Sequence, residues 1–214
     1  MVDATMMDEF FSLFVEEFGA PNSSRPVPDD RFAKYGGILP ECLLSFWRSC
    51  GFACFGGGLF WMVDPEDHVG RAQDWTRGIP DWDGKALHVF ARTAFGDLYA
   101  FEPESGRVLS VYCISGLLMT ERRSPASRAD GEKSVRSFFA ISNPEDFDFT
   151  DEDDVPLFSR ALETLGALNA DEVYGFEPLL ALGGRASLDH LRKLRMDVHL
   201  DILRQFSTPT LRMV

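Results

Sequence analysis

The 214 residues are 45% apolar, 13% aromatic and 26% charged, ordinary values for a globular chain, and a chain this long buries roughly 70% of its unfolded surface. That excludes disordered, collagen-like, coiled-coil and disulfide-scaffold classes. The 34 acidic against 21 basic residues leave a net charge of −13, which disfavours contact with a phosphate backbone and favours approach of a cationic protein.

The first residues are acidic where a secretory leader is basic, and no apolar run is long enough to span a membrane. A cytoplasmic protein is expected. Met7, Phe11, Phe14 and Phe18 recur at helical spacing, opposite Asp8, Glu9, Glu16 and Glu17, and Gly19 and Pro21 end the pattern. A polar, proline-containing stretch over 22–30 reads as loop. Pro40 and Glu41 open a second helix carrying Leu43, Phe46, Trp47 and Cys50, stopped at Gly51. Residues 59–63 form an apolar run that fits a buried strand. In the next strand Leu87, Val89 and Ala91 alternate with His88, Phe90 and Arg92, the pattern of a half-buried strand. Gly96-Asp97 suits a type II′ hairpin turn, and the segment 103–106 a second turn before strands over 107–113 and 117–121. Connections this short require antiparallel neighbours.

After Glu121 come Arg122, Arg123, Arg128, Lys133 and Arg136, read as a basic loop entering a short helix over 133–141. Glu145, Asp146, Asp148, Asp151, Glu152, Asp153 and Asp154 then crowd into ten positions, interleaved with Phe147 and Phe149. Asp154 is placed to cap a helix through Leu157, Phe158, Ala161, Leu162 and Leu165, ended by Gly166. A last helix is predicted over 187–206, with Leu188, Leu191, Leu194, Val198 and Ile202 on one face. The fold class is α+β: an antiparallel meander flanked by helices, with a mostly helical C-terminal part.

Catalytic and cofactor signatures are missing. The four histidines (His68, His88, His190 and His199) form no HExxH, there is no phosphate-binding loop or nucleophile elbow, and Gly56-Gly57-Gly58 precedes a strand rather than a helix. Cys42, Cys50, Cys54 and Cys113 include no CxxC pair and read as buried, reduced thiols. No metal or cofactor is expected. Arg92, a charge on a mostly apolar strand, must either pair with a carboxylate or face a partner.

Five stretches carry a family signal: Gly19-Ala20-Pro21; Leu39-Pro40 with Leu43, Phe46, Trp47 and Gly51; Gly58-Leu59-Phe60-Trp61 with Asp64-Pro65; the run from Ala91 to Leu98; and the run from Tyr174 to Gly184. In this order they resemble the GAD-like family with the C-terminal domain that accompanies it, and more distantly the SUKH superfamily. The resemblance implies a type VI secretion system immunity protein against a DNase toxin. The expected division is a GAD-like domain over 1–121, a basic loop and short helix over 122–142, and an acidic segment with a helical domain over 143–214; the basic loop over 122–136 departs from the family pattern.

The expected partner is therefore a cognate cationic nuclease, bound directly as a protein, without nucleic acid or membrane. The expected contacts are Glu145, Asp146, Phe147, Asp148, Phe149, Asp151, Glu152, Asp153 and Asp154, together with Arg92; blocking or distortion of the toxin's active site both remain open. Two other readings stand beside this one. The first is a small hydrolase reversing a toxin modification through Asp64, Asp67, His68 and Arg92. The second is a SUKH-like interaction adaptor.

Overall fold

The computed structural model describes residues 8–122 and 128–214, the side chains of Arg128 and Ala129 excepted. Met7 and residues 123–127 of the expected basic loop lie outside the described residues.

Helix α1 spans Glu9–Phe18, with the Asp8 carboxylate accepting from the Phe10 amide at 3.0 Å. Strand β1 (Ser23–Arg25) and helix α2 (Asp29–Tyr35) occupy the stretch read as loop; helix α3 (Glu41–Cys50) begins after Pro40 and stops at Gly51 as the sequence predicts. Seven strands follow around one sheet or its margin: β2 (Phe52–Phe55), β3 (Phe60–Met62), β4 (His88–Thr93), β5 (Leu98–Glu102), β6 (Arg107–Tyr112), β7 (Leu117–Thr120) and, from the C-terminus, β10 (Thr210–Met213). The sheet runs in the order β1-β2-β3-β4-β5-β6-β7-β10. Every pairing is antiparallel except that of β10, which lies parallel to β7 with Leu211 opposite Leu118. The predicted meander is therefore present as β3–β7, extended by β1 and β2 at one end and by β10 at the other.

Helices cover both faces of this sheet. On one face α1, α3 and α5 (Arg128–Ile141) enclose an aromatic core. Phe11 stacks on Phe46 at 4.2 Å, and Phe139 meets Phe11, Phe14 and Phe46 edge-on at 5.4, 5.2 and 5.1 Å. On the other face α4 (Arg71–Thr76), Trp82 and α7 (Met196–Phe206) cover Val89, Leu98, Ala100, Leu109, Val111 and Leu118. All five residues of β5 are consequently buried, and five of six in β4. The half-buried alternation expected for β4 is corrected by this double cover, which turns both faces inward.

The β4–β5 connection is longer than a two-residue turn. The Thr93 hydroxyl accepts from the Phe95 and Asp97 amides at 3.2 and 3.1 Å, folding Ala94 and Phe95 inward. Gly96 has φ +88°, and a Cβ there would meet Leu200 of α7 at 2.9 Å, so both backbone and packing require glycine.

The C-terminal part contains α6 (Phe158–Leu165), a hairpin of β8 (Glu172–Phe176) and β9 (Leu191–Arg195), then α7. The single helix expected over 187–206 is thus a strand followed by a helix. Its first half pairs with β8, and Leu191 is buried beneath the hairpin rather than on a helix stripe. The aromatic core continues into this part through Phe147, Phe158, Tyr174, Phe176 and Leu191. No helix among the described residues is long and apolar enough to cross a membrane.

Candidate functional site

Segment 143–157 is built by its two aromatic residues. Phe147, 4% exposed, inserts between Phe18, Phe60 and Tyr99 at ring distances of 5.6, 5.1 and 5.4 Å. Phe149 packs on Phe95 and Phe176 at 5.9 and 5.3 Å. The two face the core, so the expectation that they stand outward as interface anchors is corrected. Their role is to hold the intervening carboxylates on the surface.

Those carboxylates divide into two sets. Asp148 accepts from the Phe149 and Phe158 amides at 2.7 and 2.9 Å and so serves the start of α6; partial burial pushes its carboxyl up. Asp154 does not cap this helix: it sits in a turn at φ 59°. Asp151 pairs with Arg160 at 2.5 Å and accepts from the Val155 and Asp153 amides, which holds it below the usual carboxylate range. Glu152 pairs with Arg185 at 2.6 Å, and Asp146 closes a capping box with Asn143. Glu145, Asp153 and Asp154 are exposed and form no ion pair among the described residues. The last turn of α1, with exposed Glu16 and Glu17, abuts the segment through Phe18, and α6 reaches the same corner where Leu162 lies 3.6 Å from the Cβ position of Gly57. The result is a negative surface on a rigid aromatic base.

Arg92 takes neither of its expected roles. It is fully buried, donates to the carbonyls of Thr93 and Ala170 at 3.1 and 3.0 Å, and lies over the Trp61 ring at 4.5 Å. Burial lowers its pKa. It faces no partner and, among the described residues, forms no ion pair; it braces the segment before β8 against β3 and β4.

Asp64, Asp67 and His68 do come together, in a cleft of about 470 Å³ with Arg25, Trp61, Asp171 and Arg195 on its walls. Asp64 is occupied, accepting from Arg31 Nε with both oxygens at 3.1 and 2.9 Å and from the Glu66 amide. Asp67 pairs with Arg25 at 2.5 Å. His68 is buried, with its pKa lowered to about 4 by desolvation, and its Nδ1 has no partner. A hydrolytic site needs a nucleophile or water-activating base within hydrogen-bonding reach of its orienting group; here the carboxylates are spent on arginines instead. The four cysteines are buried and free, and no group of three potential ligands among the described residues could hold a metal.

One surface escaped sequence reasoning: an apolar groove between α7 and the β8–β9 hairpin. Its signal, Val198 and Ile202 at helical spacing, is visible in the sequence, but spacing does not reveal that they stay exposed among the described residues, at 54% and 37%.

Residues 9–115 match the GAD-like domain, and residues 132–207 match the C-terminal domain of the T6SS immunity protein Tdi1. No curated protein matches the chain. The crystal structure of Atu4351 from Agrobacterium tumefaciens superposes with a TM-score of 0.83 over 94% of this chain and 91% of that one, at 22% identity, and so shares its fold. Two adjoining domains in this order, on one continuous core, establish that the chain belongs to the GAD-like family and is a type VI secretion system immunity protein.

Proposed function

We propose that this chain binds and neutralises a cognate nuclease toxin in the cytoplasm of the cell that makes it. The observation that carries the reading is the match of residues 132–207 to an immunity protein's C-terminal domain. The net charge of −13 supplies the physical complement. A nuclease presents a cationic surface that holds phosphate, and an acidic protein approaches such a surface fast and in a preferred orientation. The exposed carboxylates Glu145, Asp153 and Asp154, which form no ion pair among the described residues, are the part of this field that the inward-facing Phe147 and Phe149 hold at the surface. They act either by covering the groove or by drawing toxin side chains out of catalytic register.

Co-expression tests the reading. Cells carrying both this chain and its proposed nuclease toxin should grow where cells carrying the toxin alone die. Equal killing in the two cultures would overturn it.

A further inference from the structure

Helix α7 has two apolar sides. Leu200 and Leu203 enter the second core, at 1% and 4% exposure. Val198, Ile202 and Phe206, four residues apart, form a second stripe left 54%, 37% and 51% exposed. With Leu182 (57% exposed), Leu179 and Leu194, Val198 and Ile202 wall a groove of about 760 Å³. His199 lies buried against it with Nε2 unpartnered. Gly175 on β8 makes room for that imidazole, since a Cβ there would overlap Nε2. Clustered aliphatic exposure of this kind marks an interaction surface rather than ordinary scattered exposure.

Three charged side chains line the groove: exposed Glu177, Arg195, which pairs with Asp171 and Asp197, and Arg192. Arg192 stands exposed, donates only to the carbonyls of Asp189 and Leu191, and pairs with no carboxylate among the described residues. The complement of this groove is therefore an apolar segment bearing a carboxylate. A second copy of the chain would have to approach against like net charge.

We propose that the groove is a second contact with the cognate toxin, taking an apolar segment of it with a carboxylate opposite Arg192. This rests on the immunity reading above and assigns the toxin two contacts of opposite polarity.

The test is titration of the full chain with the toxin, alongside thermal unfolding and size-exclusion with light scattering. Val198→Asp with Ile202→Asp should weaken binding at least tenfold at unchanged melting temperature; should that pair misfold, Val198→Thr with Ile202→Thr should give a smaller loss in the same direction. Arg192→Glu should weaken binding at least tenfold, and Arg192→Lys should retain most of it. The sign for Arg192→Glu is decisive. If only the long-range field mattered, an added negative charge would tighten binding to a cationic toxin. Tightening by Arg192→Glu, unchanged affinity in the groove variants, or a wild-type dimer that the groove variants dissociate would each overturn the proposal. Wild-type protein that fails to bind the toxin would instead bring down the immunity reading, and this proposal with it.

Discussion

Arg92 and two histidines show how much of this fold depends on polar groups held away from water. The Arg92 guanidinium replaces its hydration with two backbone carbonyls and the Trp61 face. Arg92→Ala removes the donor to the Ala170 carbonyl, while the Thr93 carbonyl keeps the Gly96 amide at 3.3 Å, and opens a cavity; it should cost about 3 kcal/mol in chemical denaturation. Toxin affinity of the folded variant should be unchanged, because the residue is not on the surface; a stable variant with weakened binding would contradict this. His68 and His199 are each 4% exposed, and desolvation lowers each pKa to about 4. Their folded values lie below the unfolded value of about 6.5, so the unfolded chain takes up their protons first as pH falls. The stability from neutral imidazoles is complete above about pH 6.5 and is lost toward pH 4. Asp97, whose carboxyl burial pushes up to about 7, contributes with the opposite sign and offsets one of the two. Unfolding free energy should therefore fall by on the order of 1–2 kcal/mol between pH 6.5 and 4.5. Histidine NMR should show two imidazoles still neutral at pH 5; ordinary titration of all four near 6.5 would refute the assignment.

The helix after the acidic run separates local signals from tertiary ones. Asp154 has the spacing of a cap, but the Phe158 amide is satisfied by Asp148, ten residues back, at 2.9 Å. Asp148→Ala should cost about 1–2 kcal/mol, whereas Asp154→Gly should be neutral or slightly stabilising because its φ of 59° suits glycine. Thermal unfolding of both variants checks this, and a larger loss at Asp154 would reverse the assignment. Helix α3 was legible because its start at Pro40 and stop at Gly51 lie within the element. β9 was not legible as a strand. The spacing of Leu188, Leu191 and Leu194 fits a helix as well, and the partner that decides the matter, β8, pairs through Val173 with Leu194 from a distant stretch of chain. The same applies to β4, whose apparent alternation gave no sign that α4 and α7 would cover its second face.

For the molecule as a whole, charge and family were legible and the distribution of free charge was not. The run 145–154 is plain in the sequence, yet Arg160 and Arg185, which neutralise Asp151 and Glu152, come from elements that meet it only in the folded chain. The negative surface is smaller than the composition suggests, and it rests on the inward-facing Phe147 and Phe149 rather than presenting them. Exchanging Glu145, Asp153 and Asp154 for their amides together should weaken toxin binding about tenfold, since each exposed charge contributes about 0.2–1 kcal/mol, and should flatten its salt dependence. Unchanged affinity would move the acidic contact to another face. The most direct measurement is a calorimetric titration of the wild-type chain with its proposed nuclease toxin, at low and at high salt. A stoichiometric complex whose affinity falls as salt rises is expected. Absence of binding at low salt, or an affinity indifferent to salt, would contradict it.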